Sequence, residues 1–149
     1  MACASNTDCA AGLSCASGVC HTYCTTAGAD CSAGVCVQVG DGSQIQDKLC
    51  TVDCTLSPDS CGSGQTCVPF VVDDSPVSGD CEAPGSVAFD GSCTSLYDCA
   101  AGLACITEYG VCLPWCQTTS FCQSALGDSY NCYFDVSVTI EGTTYGYCD

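Results

Sequence analysis

The chain has no arginine, a single lysine (Lys48) and a single histidine (His21). Against seventeen acids this leaves a formal charge of −16, which excludes nucleic acid and anionic membrane as partners, since both demand a basic face. One histidine also leaves little scope for general-base chemistry. Hydrolytic nucleophiles need a base within reach, and the position equivalent to His21 in the internal repeat described below is Leu113. No catalytic residue is therefore expected, and the chain reads as a non-enzyme. Carboxylate pairs such as Asp73-Asp74 fit a solvated hairpin tip better than a glycosidase centre.

Branched aliphatic residues and phenylalanine are sparse, and much of the 47% hydrophobic content is cysteine and alanine. No stretch approaches transmembrane length, so membrane insertion is not expected, and neither is a single shared apolar core. Met1-Ala2-Cys3 opens without the basic start or apolar run of a signal peptide, as in a mature form or a fragment. Asn-x-Ser/Thr is absent, which leaves only O-linked glycans on the plentiful serines and threonines. So is an Asp-x-Asp-x-Asp-Gly loop, which leaves at most weak Ca2+ binding driven by charge; no other cofactor is expected. Aspartate precedes cysteine at Asp8, Asp30, Asp80 and Asp98, which reads as turn chemistry, a side chain accepting nearby backbone N–H groups.

What the chain has in abundance is cysteine, twenty in 149 residues. Cys-x-x-Cys, the spacing on which zinc sites and thiol-redox centres lean, occurs nowhere. An even and dense set without that motif reads as structural disulfides, which persist only in oxidising surroundings. The expected location is secreted or at the cell surface.

The cysteines fall into a repeat. Cys3, Cys9, Cys15, Cys20 and Cys24 align with Cys93, Cys99, Cys105, Cys112 and Cys116, and Asp8-Cys9-Ala10-Ala11-Gly12-Leu13 aligns with Asp98-Cys99-Ala100-Ala101-Gly102-Leu103. The second copy is two residues longer between its third and fourth cysteines, where a loop absorbs length at little cost. The whole chain then parses as four-cysteine modules of two types in the order A-B-B-A-B: type A at 3–20, type B at 24–50 and 54–81, a cysteine-free linker at 82–92, type A at 93–112 and type B at 116–148. Gly12 and Gly18 suggest tight turns of positive φ in type A. Each type B unit is expected to carry a hairpin between its third and fourth cysteines. The turns are Gly40-Asp41-Gly42-Ser43 between Val37-Gln38-Val39 and Gln44-Ile45-Gln46, Asp73-Asp74-Ser75-Pro76 before Val77-Ser78-Gly79, and Glu141-Gly142. Pro69 marks its strand as an edge. The fold class is thus small and disulfide-rich, with tandem cysteine-knotted modules, short β-hairpins and little or no helix. Three-residue steps between modules favour an elongated rod.

The run Cys-x5-Cys-Ala-Ala-Gly-Leu-x-Cys, with aspartate before the second cysteine, resembles the cysteine-rich repeats of secreted and surface proteins of myxobacteria and related bacteria. It is also similar to the EB and Dickkopf amino-terminal modules of animals, and the type B hairpins resemble the distal half of an EGF-like module. The resemblance implies a disulfide-knotted extracellular module and brings no catalytic residues with it.

Spacing leaves the connectivity open, and the repeat requires only that equivalent cysteines pair equivalently. Crossed pairing inside each module, first to third and second to fourth, ties a short chain most compactly. This gives Cys3–Cys15, Cys9–Cys20, Cys24–Cys36, Cys31–Cys50, Cys54–Cys67, Cys61–Cys81, Cys93–Cys105, Cys99–Cys112, Cys116–Cys132 and Cys122–Cys148. Aromatic residues concentrate in the second half, and Trp115, Tyr133, Phe134, Tyr145 and Tyr147 are the expected exposed surface for assembly or binding. Two function classes fit: a structural or adhesive protein that self-associates as the repeating subunit of a surface fibre or filament, or a secreted binding module that presents its rings to a glycan or protein ligand. With one lysine, any contact between copies has to be apolar, aromatic and backbone-mediated.

Overall fold

The computed structural model describes residues 1–25, 31–39, 47–72 and 75–149. Ten disulfides organise it. Each group of four cysteines is crossed, first to third and second to fourth, from Cys3–Cys15 and Cys9–Cys20 to Cys116–Cys132 and Cys122–Cys148. Every cysteine is consumed in this way, so no thiolate remains to ligate a metal.

Each module wraps its disulfides around one antiparallel hairpin. In the first type A unit β1 (Leu13–Ala16) pairs with β2 (Val19–Thr22) through Ser17 and Gly18, whose φ values of 48° and 76° suit a two-residue turn that follows the strand twist. In the second type A unit β7 (Ala104–Ile106) pairs with β8 (Val111–Leu113), and the two extra residues lengthen the turn between them. The type B hairpins are β3 (Cys36–Val39) with β4 (Asp47–Cys50), β5 (Thr66–Val72) with β6 (Ser75–Glu82), and β10 (Cys132–Ile140) with β11 (Thr143–Cys148). β9 (Trp115–Cys116) adds to β11, giving the sheet order β10-β11-β9.

Several expectations change here. The turn expected at 40–43, the strand residues expected at 44–46, Asp73-Asp74 and Asp30 lie outside the described residues; Ser75 and Pro76, expected in a turn, already belong to β6, where Val72 faces Ser75. The little helix expected is found: among the described residues there is one α-helix, α1 (Thr119–Leu126), after the last three-residue step. Thr118 caps it, its hydroxyl accepting Phe121 N at 3.3 Å. A helix this short does not hold alone in water; Cys122, fully buried and bonded to Cys148, fastens it to β11.

The larger correction concerns the core. Leu56, Ala104, Ile106, Leu113, Trp115, Ile140, Tyr145 and Tyr147 are all buried and form one cluster with Cys54, Cys67 and Cys81. It draws on the second type B, second type A and last type B units, so these three modules share a core. A few large side chains per module, pooled, bury area that none could bury alone. The linker is also structured. Gly85 N donates to Cys99 O, Ser86 N and Val87 N to Asp98 O, and Ala100 N to Val87 O, at 2.8–3.0 Å, so this segment lies along the second type A unit.

Candidate functional site

The most distinctive surface forms where β10 is interrupted. Tyr133 faces Tyr147 and Val138 faces Tyr145, so four residues of β10, 134–137, lie opposite one residue of β11, Gly146. A Cβ on Gly146 would run into the Tyr133 carbonyl, so glycine is what lets the strands close beside the bulge. Bulges of this kind re-aim side chains. Here the bulge turns Asp135 toward two phenols: Tyr109 OH donates to Asp135 Oδ2 at 2.7 Å, and Tyr147 OH donates to Oδ1 at 3.0 Å. Those two bonds hold the Asp135 carboxyl below the usual carboxylate range, while burial and the bonds to Tyr109 and Asp135 raise the Tyr147 phenol. Tyr147 also stacks on Tyr133, with ring centroids 6.0 Å apart at 29°, and tilts against Tyr109 at 5.6 Å.

The five residues expected to form the exposed surface divide. Tyr133 and Phe134 are 44% and 47% exposed, whereas Trp115, Tyr145 and Tyr147 are at 7%, 4% and 4%. This corrects the expectation for those three, because strand alternation and the pairing of β11 with β9 turn them into the shared core. Tyr109, another of the second-half aromatics, and Asp135, which lies outside that set, complete the patch. A signal for Asp135 was present: Tyr133-Phe134-Asp135 breaks the apolar–polar alternation of the strand.

A second cluster lies where the first three modules meet. His21, Asp80 and Glu82 are all buried and, with Ala16, Ser17, Val37, Leu49 and Phe70, line a cavity of about 60 Å³. His21 Nδ1 sits 2.9 Å from Cys50 O, and Nε2 has no hydrogen-bond partner among the described residues. Asp80 Oδ1 accepts Val52 N at 2.6 Å. Loss of solvent raises the Asp80 carboxyl, and loss of solvent plus the Asp80 charge raises that of Glu82. Asp80 thus departs from the turn role expected of it: it sits inside β6 and reaches a backbone donor far back in the chain. Asp8 and Asp98 do accept local donors, as expected. The one repeat position occupied by His21 and Leu113 faces two environments, this polar cavity in the first copy and the shared core in the second.

No family model, no curated protein and no solved structure matches the chain. The class that fold and site define is therefore stated from the molecule itself: a small disulfide-rich protein of paired β-hairpins, covalently fastened for oxidising surroundings. Among the described residues no helix is long and apolar enough to cross a membrane.

Proposed function

We propose that this protein is an extracellular structural or adhesive protein, secreted or held at the cell surface, whose copies associate as the subunit of a fibre or filament. The observation that carries the reading is β10. It pairs with β11 alone and forms one edge of its sheet, and it presents Tyr133 and Phe134 to solvent on a nine-residue strand. Long exposed edge strands are templates for pairing with another chain unless they are blunted by charge, proline or a bulge; the bulge at 134–137 leaves Val138, Thr139 and Ile140 as the regularly paired stretch of β10. The only charge in β10 is Asp135, whose oxygens are taken by Tyr109 and Tyr147.

The reading involves no catalytic step. His21 is enclosed with two acids in a cavity far below the several hundred Å³ of a substrate pocket. Salt bridges cannot join the copies when one lysine faces seventeen acids, so the contact is aromatic and backbone-mediated, with the C-terminal hairpin of one copy on the Cys3–Cys24 region of the next. A heterologous contact of this kind grows into a filament unless its rotation closes.

Light scattering and negative-stain microscopy of the purified protein, titrated with sodium chloride and calcium, test the proposal. Association should rise as salt screens the like charges and should disappear in Tyr133→Ser/Phe134→Ser. A monomer at every salt concentration and pH overturns it. Retention on polysaccharide resins that the same double variant abolishes, without filaments, would point to a glycan-binding module instead.

A further inference from the structure

The two type A units share a backbone frame, yet one carries a bound strand that the other lacks. Four backbone bonds of the frame recur. Cys3 N donates to Gly18 O at 2.8 Å and Cys93 N to Gly110 O at 2.9 Å; Cys20 N donates to Met1 O and Cys112 N to Gly91 O, each at 3.0 Å. Within the loop, Asp8 N bonds Ser5 O and Leu13 N bonds Ala10 O, and Asp98 N and Leu103 N repeat both bonds with Ser95 O and Ala100 O.

In the second copy the edge Asp98-Cys99-Ala100 is covered. Val87 pairs in parallel with Cys99, and the segment 85–87 exchanges four backbone hydrogen bonds with that edge. Val87 packs on the cluster of Cys93, Cys99, Cys105 and Cys112, leaving Cys99 1% exposed. Gly85 fits because it has no side chain: a Cβ there would meet the carbonyls of Tyr97 and Asp98. In the first copy the same edge is bare. Ala10 N, Asp8 O and Cys9 O have no backbone partner among the described residues, Asp8 and Ala10 are exposed, and Cys9 is half-buried.

We propose that the Asp8–Ala10 edge is a docking site for an extended peptide segment of the form glycine, any residue, valine or a similar apolar residue. The occupant runs parallel to the edge, as the segment 85–87 does on the second copy. The glycine is required where the peptide crosses the Asp8 carbonyl. The apolar residue two positions on covers the Cys9–Cys20 disulfide, and the peptide supplies three N–H donors and accepts Ala10 N. This is strand addition, with backbone bonds giving affinity and two side-chain positions giving selectivity. It rests on the repeat and not on self-association, but the edge lies within the Cys3–Cys24 region that receives the neighbouring hairpin, so a docked peptide and a second copy compete for it.

The probe is a synthetic peptide with the sequence of residues 83–89, titrated into intact, isotope-labelled protein and followed by amide shifts and hydrogen exchange. Saturable shifts should centre on Asp8 to Leu13, and exchange of Ala10 N–H should slow at least about tenfold on saturation, as expected for an amide that gains a hydrogen bond. The Gly85→Ala and Val87→Ser versions of the peptide should lose this effect. A second form removes the burden of affinity: residues 83–90 fused directly ahead of Met1 reproduce the spacing of the second copy and should protect Ala10 as strongly as Ala100. Equal binding of the glycine and alanine peptides, or an unprotected Ala10 in both the titration and the fusion, would overturn the proposal.

Discussion

Asp8 and Asp98 hold equivalent backbone donors at matching distances. Asp8 Oδ2 accepts Ala4 N and Ser5 N at 2.8 and 2.9 Å, and Asp98 Oδ2 accepts Thr94 N and Ser95 N at 2.8 and 2.9 Å. A carboxylate that closes the loop between the first two cysteines of each type A unit, exposed at Asp8 and half-buried at Asp98, is thus built into the repeat, and it explains why aspartate stands before the second cysteine in both copies.

These bonds to the ionised form lower both carboxyl pKa values. The stability they contribute is present above the unfolded value of about 4 and is lost as pH falls through the lower folded value. Carboxyl titration by nuclear magnetic resonance should place both groups below the ordinary aspartate midpoint. Asp98→Ala should speed amide exchange at Thr94 and Ser95 while leaving Ala4 and Ser5 unchanged. A midpoint at or above the ordinary value contradicts this account.

Asp80 and Glu82 have the opposite sign. Burial raises both, so the folded chain binds their protons more readily than the unfolded chain. Their contribution is then most favourable below the unfolded carboxylate range and declines as pH rises through the folded values. Asp80→Asn/Glu82→Gln keeps an oxygen for Val52 N and should raise the Tm at pH 7.5 relative to the parent, with a smaller gain at pH 4. A lower Tm at both values would show that the charges are needed where they sit.

Much of the framework could be read from the sequence because its signals are local. Cysteine spacing, the positive-φ glycines Gly12 and Gly18, and Glu141-Gly142 each mark their element within a few residues. The shared core had no such signature: Leu56, Ile106, Trp115 and Ile140 come from different modules, one or two at a time, and look like isolated hydrophobes. α1 covers little more than two turns, and its apolar positions Phe121, Cys122, Ala125 and Leu126 repeat only once at helical spacing, too little to stand out from the surrounding sequence. The Asp80 to Val52 bond joins residues 28 apart, and nothing in the short run Gly79-Asp80-Cys81 separates it from the turn role that Asp8 and Asp98 fulfil. The bare edge of the first type A unit became visible only through comparison with its covered counterpart.

The disulfide Cys122–Cys148 spans 26 residues and is the main fastening of α1. Closing a loop of this length is worth roughly 3.5 kcal/mol in the chain-entropy account. Cys122→Ala/Cys148→Ala should therefore lose the helical signal near 222 nm and the amide protection of α1, with about that cost to the stability of the last module. Retention of a protected α1 would show that Thr118 capping and packing suffice.

The shared core makes its own prediction at Ile106, which is 1% exposed and contacts parts of three modules through the cluster it belongs to. Ile106→Ala removes a large side chain from a place bordered by disulfides, where the surroundings collapse poorly, so the cost should fall at about 2–5 kcal/mol. If the modules were independent, increased amide exchange would stay within 93–112. Because Cys81 of β6 and Ile140 of β10 lie in the same cluster, protection should also fall in β6 and β10, while β1 and β2, which are held by their own disulfides and lie outside the cluster, should be unaffected. Native-state hydrogen exchange on the oxidised variant reads both outcomes at once. Loss confined to the second type A unit would sink the shared core and restore a chain of separately stable modules.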